Sequence, residues 1–200
     1  MQDSCNQKPE SRDQNPTMSS HHIIREDQEP ALLIMDANAI SIEQVLELLE
    51  WSPIVIVSDR ALDDVLKWGI KIDVVVANAD RIAELTGLLQ SQFPVTILSY
   101  NTSEEALSTA LYFLIAKKQK AVNVITTDSL ESFESFSLLD ISVFNQDKHW
   151  SFIRNGSYQK WFPAGRTIQV YPSNKEPDIH TQQDGVIIIK RDNSFWVNES

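Results

Sequence analysis

The stretch I-V-I-V-S-D-R-A-L-D-D-V-L-K-W-G-I-K-I-D-V-V-V-A-N-A-D-R, from Ile54 to Arg81, reads as strand, helix, strand. Ile54 to Val57 is an unbroken β-branched run, the pattern of a strand buried on both faces of a parallel sheet. Asp59 follows at its carboxyl end, the edge where open α/β sheets hold their ligands. Leu62, Val65, Leu66 and Trp68 recur close to helical spacing, and Gly69 supplies the helix stop. Asp73 then opens a second apolar run, Val74 to Ala77, with Asn78, Ala79, Asp80 and Arg81 just beyond it. Two carboxylates, Asp59 and Asp80, are thereby expected at the carboxyl ends of neighbouring parallel strands, facing one cleft.

The same alternation extends in both directions. Ala31 to Met35 predicts a first strand, followed by a helix whose S-x-x-Q capping box is Ser41 and Gln44. Val45, Leu46, Leu48 and Leu49 give that helix its apolar face, and Trp51-Ser52-Pro53 ends it. Ile82 to Gln92 predicts a third helix, with Leu85, Leu88 and Leu89 buried. Val95 to Leu98 predicts a fourth strand. Thr102 and Glu105 form a T-x-x-E box ahead of a stripe at Ala106, Leu107, Ala110, Leu111, Leu114 and Ile115. Lys117, Lys118 and Lys120 suit the end of that helix through its dipole, or form a phosphate patch. Ala121 to Ile125 is a fifth strand. Strands alternating with helices imply a Rossmann-like parallel sheet over residues 31–140. From residue 141 to 200 short strand candidates follow at close spacing, with Asn155-Gly156 as a strong hairpin turn and Asp192-Asn193 as a second turn. This part is expected to form a small antiparallel, sandwich-like β domain. Its aromatics, Trp150, Phe152, Tyr158, Trp161 and Phe162, read as core or interface residues at strand alternation, or as a stack for a flat ring.

Composition narrows the function. A net charge of −11 argues against nucleic-acid or anionic-membrane partners, which need a basic patch. The single cysteine, Cys5, excludes a disulfide framework. No apolar run reaches the length of a membrane span, and no signal-type core stands near Met1, so a cytoplasmic protein is expected. Residues 1–30 are polar and expected to be disordered. Met18 offers an alternative start, and His21 with His22 read as a solvated pair or a metal-binding one. The five glycines are isolated, so no glycine-rich phosphate loop can form.

The organising stretch resembles the thiamine pyrophosphokinase family. That family carries D-G-G after one strand, a helix ending in G-I-x-P-D, and a second strand running into G-D-x-D-S. Here stand Asp59-Arg60-Ala61, Gly69-Ile70-Lys71-Ile72-Asp73 and Ala77-Asn78-Ala79-Asp80-Arg81. The resemblance covers roughly Ala31 to Val197 and implies an α/β domain followed by a β domain. It also implies diphosphate transfer from ATP to thiamine, a Mg2+ cofactor held by carboxylates, and a homodimer. On that resemblance Asp59 and Asp80 are the catalytic and metal-binding residues. Arg60, Arg81, Asn78 and Asn101 are the cofactor-binding candidates.

The family pattern is broken at several points. Asn78 replaces one aspartate of G-D-x-D-S. A later D-Q-x-x-T-D segment falls on Asn101 to Ala106, which places Asn101 and Ala106 at aspartate positions. The G-x-x-G-G-R-x-D-H segment is replaced by Thr126 to Phe133, and S-N-E near the C-terminus has no counterpart. Magnesium affinity follows ligand charge, so these changes predict a weakened or lost Mg2+ site. Arg60 and Arg81 are expected either to pair with Asp59 and Asp80 or to bind phosphate without a metal. Two functions follow: a catalytically degenerate relative kept for ligand binding or assembly, or an active, divergent thiamine diphosphokinase.

Overall fold

The computed structural model describes residues 29–173 and 177–199. The readings of Cys5, Met18, His21, His22 and the polar tail up to residue 28 lie outside the described residues.

The fold is built on β1 (Ala31–Ile34), β2 (Val55–Ser58), β3 (Val74–Asn78), β4 (Thr96–Tyr100), β5 (Ala121–Ile125) and β6 (Asp140–Asn145). These six pair in parallel in the order β6-β5-β1-β2-β3-β4. The helices are α1 (Ile42–Leu49), α2 (Leu62–Lys67), α3 (Ile82–Leu88) and α4 (Glu105–Ala116). Buried residues of α1, α2 and α3 pack on one face of the sheet with Leu32, Ile34, Val57 and Val75. Those of α4 and the 3-10 turn at Leu130–Phe133 pack on the other, with Leu33, Val76 and Val124. The central strands β1, β2 and β3 are therefore covered on both faces, which explains their unbroken apolar runs.

Local signals behave as their chemistry requires. Ser41 and Gln44 form both legs of the capping box. Gly69 turns the chain out of α2 at φ +71, a left-handed conformation that suits glycine. The box at Thr102 forms one leg: the Glu105 carboxylate accepts the N–H groups of Asn101 and Thr102. In place of the other leg, the Glu105 N–H donates to the Thr102 carbonyl. Leu46 and Leu88, expected in the core, are about half exposed.

The second half corrects the expected topology. The strand at Ile141–Phe144, read as the start of antiparallel pairing, is β6 and runs parallel to β5. Antiparallel pairing begins one strand later, at β7 (Lys148–Ile153). The same sheet continues through β12 (Phe195–Glu199), β9 (Thr167–Tyr171) and β10 (Ile179–His180), giving ten strands among the described residues. A separate ribbon pairs β8 (Ser157–Phe162) with β11 (Gly185–Lys190).

Asn155-Gly156 is a turn but closes no hairpin. It leads from β7 in the large sheet to β8 in the ribbon, and Asp192-Asn193 leads back from β11 to β12. The two corners touch: the Arg191 N–H donates to the Gly156 carbonyl. A Cβ at Gly156 would stand 2.2 Å from the Arg191 carbonyl oxygen, so close approach as well as φ +67 calls for glycine there. Tyr158 and Phe162 pack on the core under the ribbon, and Phe152 packs with Trp196. Trp161 stays 56% exposed beside Val186 and Ile188 on the outer face. Among the described residues, no helix is long and apolar enough to cross a membrane.

Candidate functional site

The carboxyl ends of β1 to β5 converge on the residues expected to carry chemistry. Asp59 stands one residue beyond β2 and is 7% exposed. Its N–H donates to the Val76 carbonyl at 2.9 Å, tying it to β3. One carboxylate oxygen accepts the Tyr100 hydroxyl at 2.7 Å. The other accepts the Asn78 N–H at 3.2 Å and faces the Arg81 guanidinium at 3.4 Å. Arg81 also donates to the Asp59 carbonyl and approaches Glu84 through its Nε. Burial opposes the charge on Arg81, but Asp59 and Glu84 hold the guanidinium protonated beyond its usual range. Burial, reinforced by Asp59, pushes the Tyr100 hydroxyl up to about 12.

The remaining candidates divide. Asn78 bridges the strand ends, accepting the Asp80 N–H and donating to the Asn101 carbonyl. Asp80 lies on an exposed 3-10 turn, Ala79–Arg81, and its carboxylate has no hydrogen-bond or ion-pair partner among the described residues. The expected pairing of the arginines with Asp59 and Asp80 is met by Arg81 and not by Arg60. Arg81 pairs with Asp59, while Arg60 turns away to Asp128 at 3.7 Å. Ala106 lies on the core face of α4, 2% exposed.

Tyr100 and Asp128 belong to this edge and went unread in the sequence. The signal for Tyr100 was positional: it ends the strand after Val95–Leu98 and pairs in register with Asn78. Asp128 carried a weaker signal, standing three residues past β5 at the ligand-binding edge.

A magnesium ion needs carboxylate oxygens free to face it, in octahedral geometry with water. Both Asp59 oxygens already have protein partners, and one of these is a cation. Among the described residues no three His, Cys, Asp or Glu side chains are grouped to hold a metal. The residues present do not fit Mg2+.

Beside this cluster lies a cleft of about 490 Å3. Its walls are Arg60 beyond β2, Asp128 and Ser132 beyond β5, and Ser103, Glu104 and Ser108 at the start of α4. Met35, Leu107 and Phe136 supply its apolar surface. Successive strands leave β1 toward β4 on one side, and α4 then carries the chain back to β5 on the other. The cleft therefore sits at the point where strand order reverses, the usual ligand position in open α/β sheets.

No protein-family model matches the chain, and no curated protein matches it. Solved structures do. Thiamine pyrophosphokinase from Bacillus subtilis superposes with TM-score 0.58 at 13% identity, over 86% of this chain and 98% of that one. Thiamin pyrophosphokinase from Geobacillus thermodenitrificans gives 0.53 at 12%, over 85% and 93%. A probable thiamine pyrophosphokinase from Staphylococcus saprophyticus gives 0.53 at 15%, over 84% and 97%. The chain, parallel sheet and antiparallel extension together, has the fold of the thiamine pyrophosphokinases.

Proposed function

We propose that this chain is a thiamine pyrophosphokinase-like protein that no longer transfers diphosphate and is retained for binding a small molecule. One observation carries the reading: Asp59, at the position of a family metal ligand, is buried and held by Tyr100, Asn78 and Arg81. Diphosphate transfer depends on neutralising charge as it develops on the transferred group. An arginine committed to Asp59 and Glu84 does not supply that. Asp59, Arg81 and Asn78 then act as a structural lock on the strand ends, and Arg60 is left as the cationic wall of the cleft. The net charge of −11 speaks against nucleic-acid partners, and a cytoplasmic location is part of this reading. Homodimerisation belongs to the same reading, with the exposed outer face of the β8–β11 ribbon in its favour.

The test is turnover of thiamine with magnesium and ATP, read as thiamine diphosphate by chromatography. No product is expected. Turnover of about 1 per second, in the lower range for enzymes, would establish the alternative, an active divergent thiamine diphosphokinase. A triple variant, Arg81→Ser with Asn78→Asp and Asn101→Asp, takes the cation away from Asp59 and adds two carboxylates beside it. It is expected to gain magnesium-dependent ATP binding by calorimetry.

A further inference from the structure

We propose that the cleft at the ends of β1, β2 and β5 binds a small zwitterion of the amino-acid class: one carboxylate, one ammonium and an apolar body. The inference rests on the reading that this edge performs no diphosphate transfer. The volume, about 490 Å3, falls within the roughly 300–1,000 Å3 of small-molecule sites.

The charges select the ligand. Arg60 and Asp128 face each other at 3.7 Å, with side chains 54% and 33% exposed. That is an ion-pair contact longer than a hydrogen bond, so the two groups separate readily. Glu104 lines the same cleft, and its carboxylate has no hydrogen-bond or ion-pair partner among the described residues. The lining thus carries one positive and two negative groups, and the positive one is matched. A polyphosphate would add several negative charges beside Asp128 and Glu104, in a chain already at −11. A simple cation would displace Arg60 from Asp128 and leave the guanidinium unmatched.

A zwitterion meets both conditions. Its carboxylate takes the planar fork of Arg60, and its ammonium takes Asp128 and Glu104. One loose pair becomes two ligand-mediated ones with no change in net charge. Met35, Leu107 and Phe136 form the apolar part of the lining. They are already almost fully buried, so the charged groups rather than fresh apolar burial supply the selectivity.

Isothermal titration calorimetry of the full chain at low salt tests this with l-leucine and l-phenylalanine as probes. N-acetyl-leucine lacks the ammonium and leucinamide lacks the carboxylate; ATP is titrated with and without magnesium. The two amino acids are expected to bind, and each blocked analogue to bind about tenfold more weakly or worse, the loss of one charge-assisted contact. Arg60→Gln and Asp128→Asn are each expected to weaken leucine about tenfold. Arg154→Gln, which removes the partner of Asp140 at the start of β6, leaves binding unchanged, with thermal melts confirming that all three variants fold. No heat from either amino acid up to ~10 mM overturns the proposal. So does equal binding of the blocked analogues, or tighter binding of ATP than of either amino acid. Formation of thiamine diphosphate in the turnover assay would instead remove the reading beneath it. A protein inactive in that assay and indifferent to leucine would sink this inference alone.

Discussion

Two aspartates hold the same three strands at opposite ends. At the amino end, Asp73 donates its N–H to the Val55 carbonyl and accepts the Val55 N–H on its carboxylate. Its own carbonyl accepts the Thr96 N–H, so β2, β3 and β4 meet at one residue. At the carboxyl end, Asp59 donates to Val76 and accepts from Asn78 and Tyr100, joining the same strands again. The difference lies in what else is present. Asp73 is half-buried and has no cationic partner among the described residues, whereas Asp59 is buried and faces Arg81. The amino edge shows what a purely architectural carboxylate looks like in this sheet. At the edge where α/β folds place chemistry, the proposed lock repeats that tie between strands and adds a cation, Arg81.

The sharpest way to break this comparison is to remove each carboxylate in turn. Asp59→Ala deletes the ion pair and two hydrogen bonds, leaving the Tyr100 hydroxyl without its acceptor. It is expected to cost about 3 kcal/mol in urea denaturation. A loss no larger than that of Asp73→Ala would show that the cation adds nothing. Asp73→Ala removes one carboxylate bond to the backbone and leaves the main-chain bonds, for about 1–2 kcal/mol.

Tyr100→Phe is the smallest change, about 1 kcal/mol at neutral pH, and it sharpens the argument through pH. Tyr100 ionises near 12 in the fold, because it is buried and donates to Asp59, against about 10 in the unfolded chain. Between these values the folded state keeps a proton that the unfolded state releases. Stability is therefore complete below about pH 10 and falls as pH rises toward 12. Tyr158, also raised by burial and then by Glu199, contributes to the same decline. Chemical denaturation along this range should show a shallower decline for Tyr100→Phe than for the unmodified chain. Equal slopes would place the ionisation elsewhere.

Much of this arrangement was legible because periodicity reports burial. Ile54–Val57 and Val74–Ala77 announced strands covered on both faces, and the position of Asp59 followed from counting past the first. Side-chain partners were not legible. Arg60 and Arg81 each adjoin an aspartate, but sequence distance does not say which carboxylate a long side chain reaches. Tyr100 arrives from a strand distant in sequence and meets Asp59 only through sheet register. The corner at Asn155-Gly156 shows a further limit. Its chemistry specifies a tight turn correctly, yet whether the flanking strands pair depends on partners elsewhere: β12 and β6 take β7, and β11 takes β8.

The place of β12 has a consequence for biosynthesis. The last strand in chain order among the described residues lies inside the large sheet, hydrogen-bonded to β7 on one side and β9 on the other. During vectorial synthesis the six parallel strands have all their mutual partners once β6 has emerged. β7 and β9 must wait with open edges until Phe195–Glu199 has left the ribosome and slips between them. Over that interval the nascent chain exposes two unsatisfied strand edges, the kind of surface that recruits chaperones or neighbouring chains.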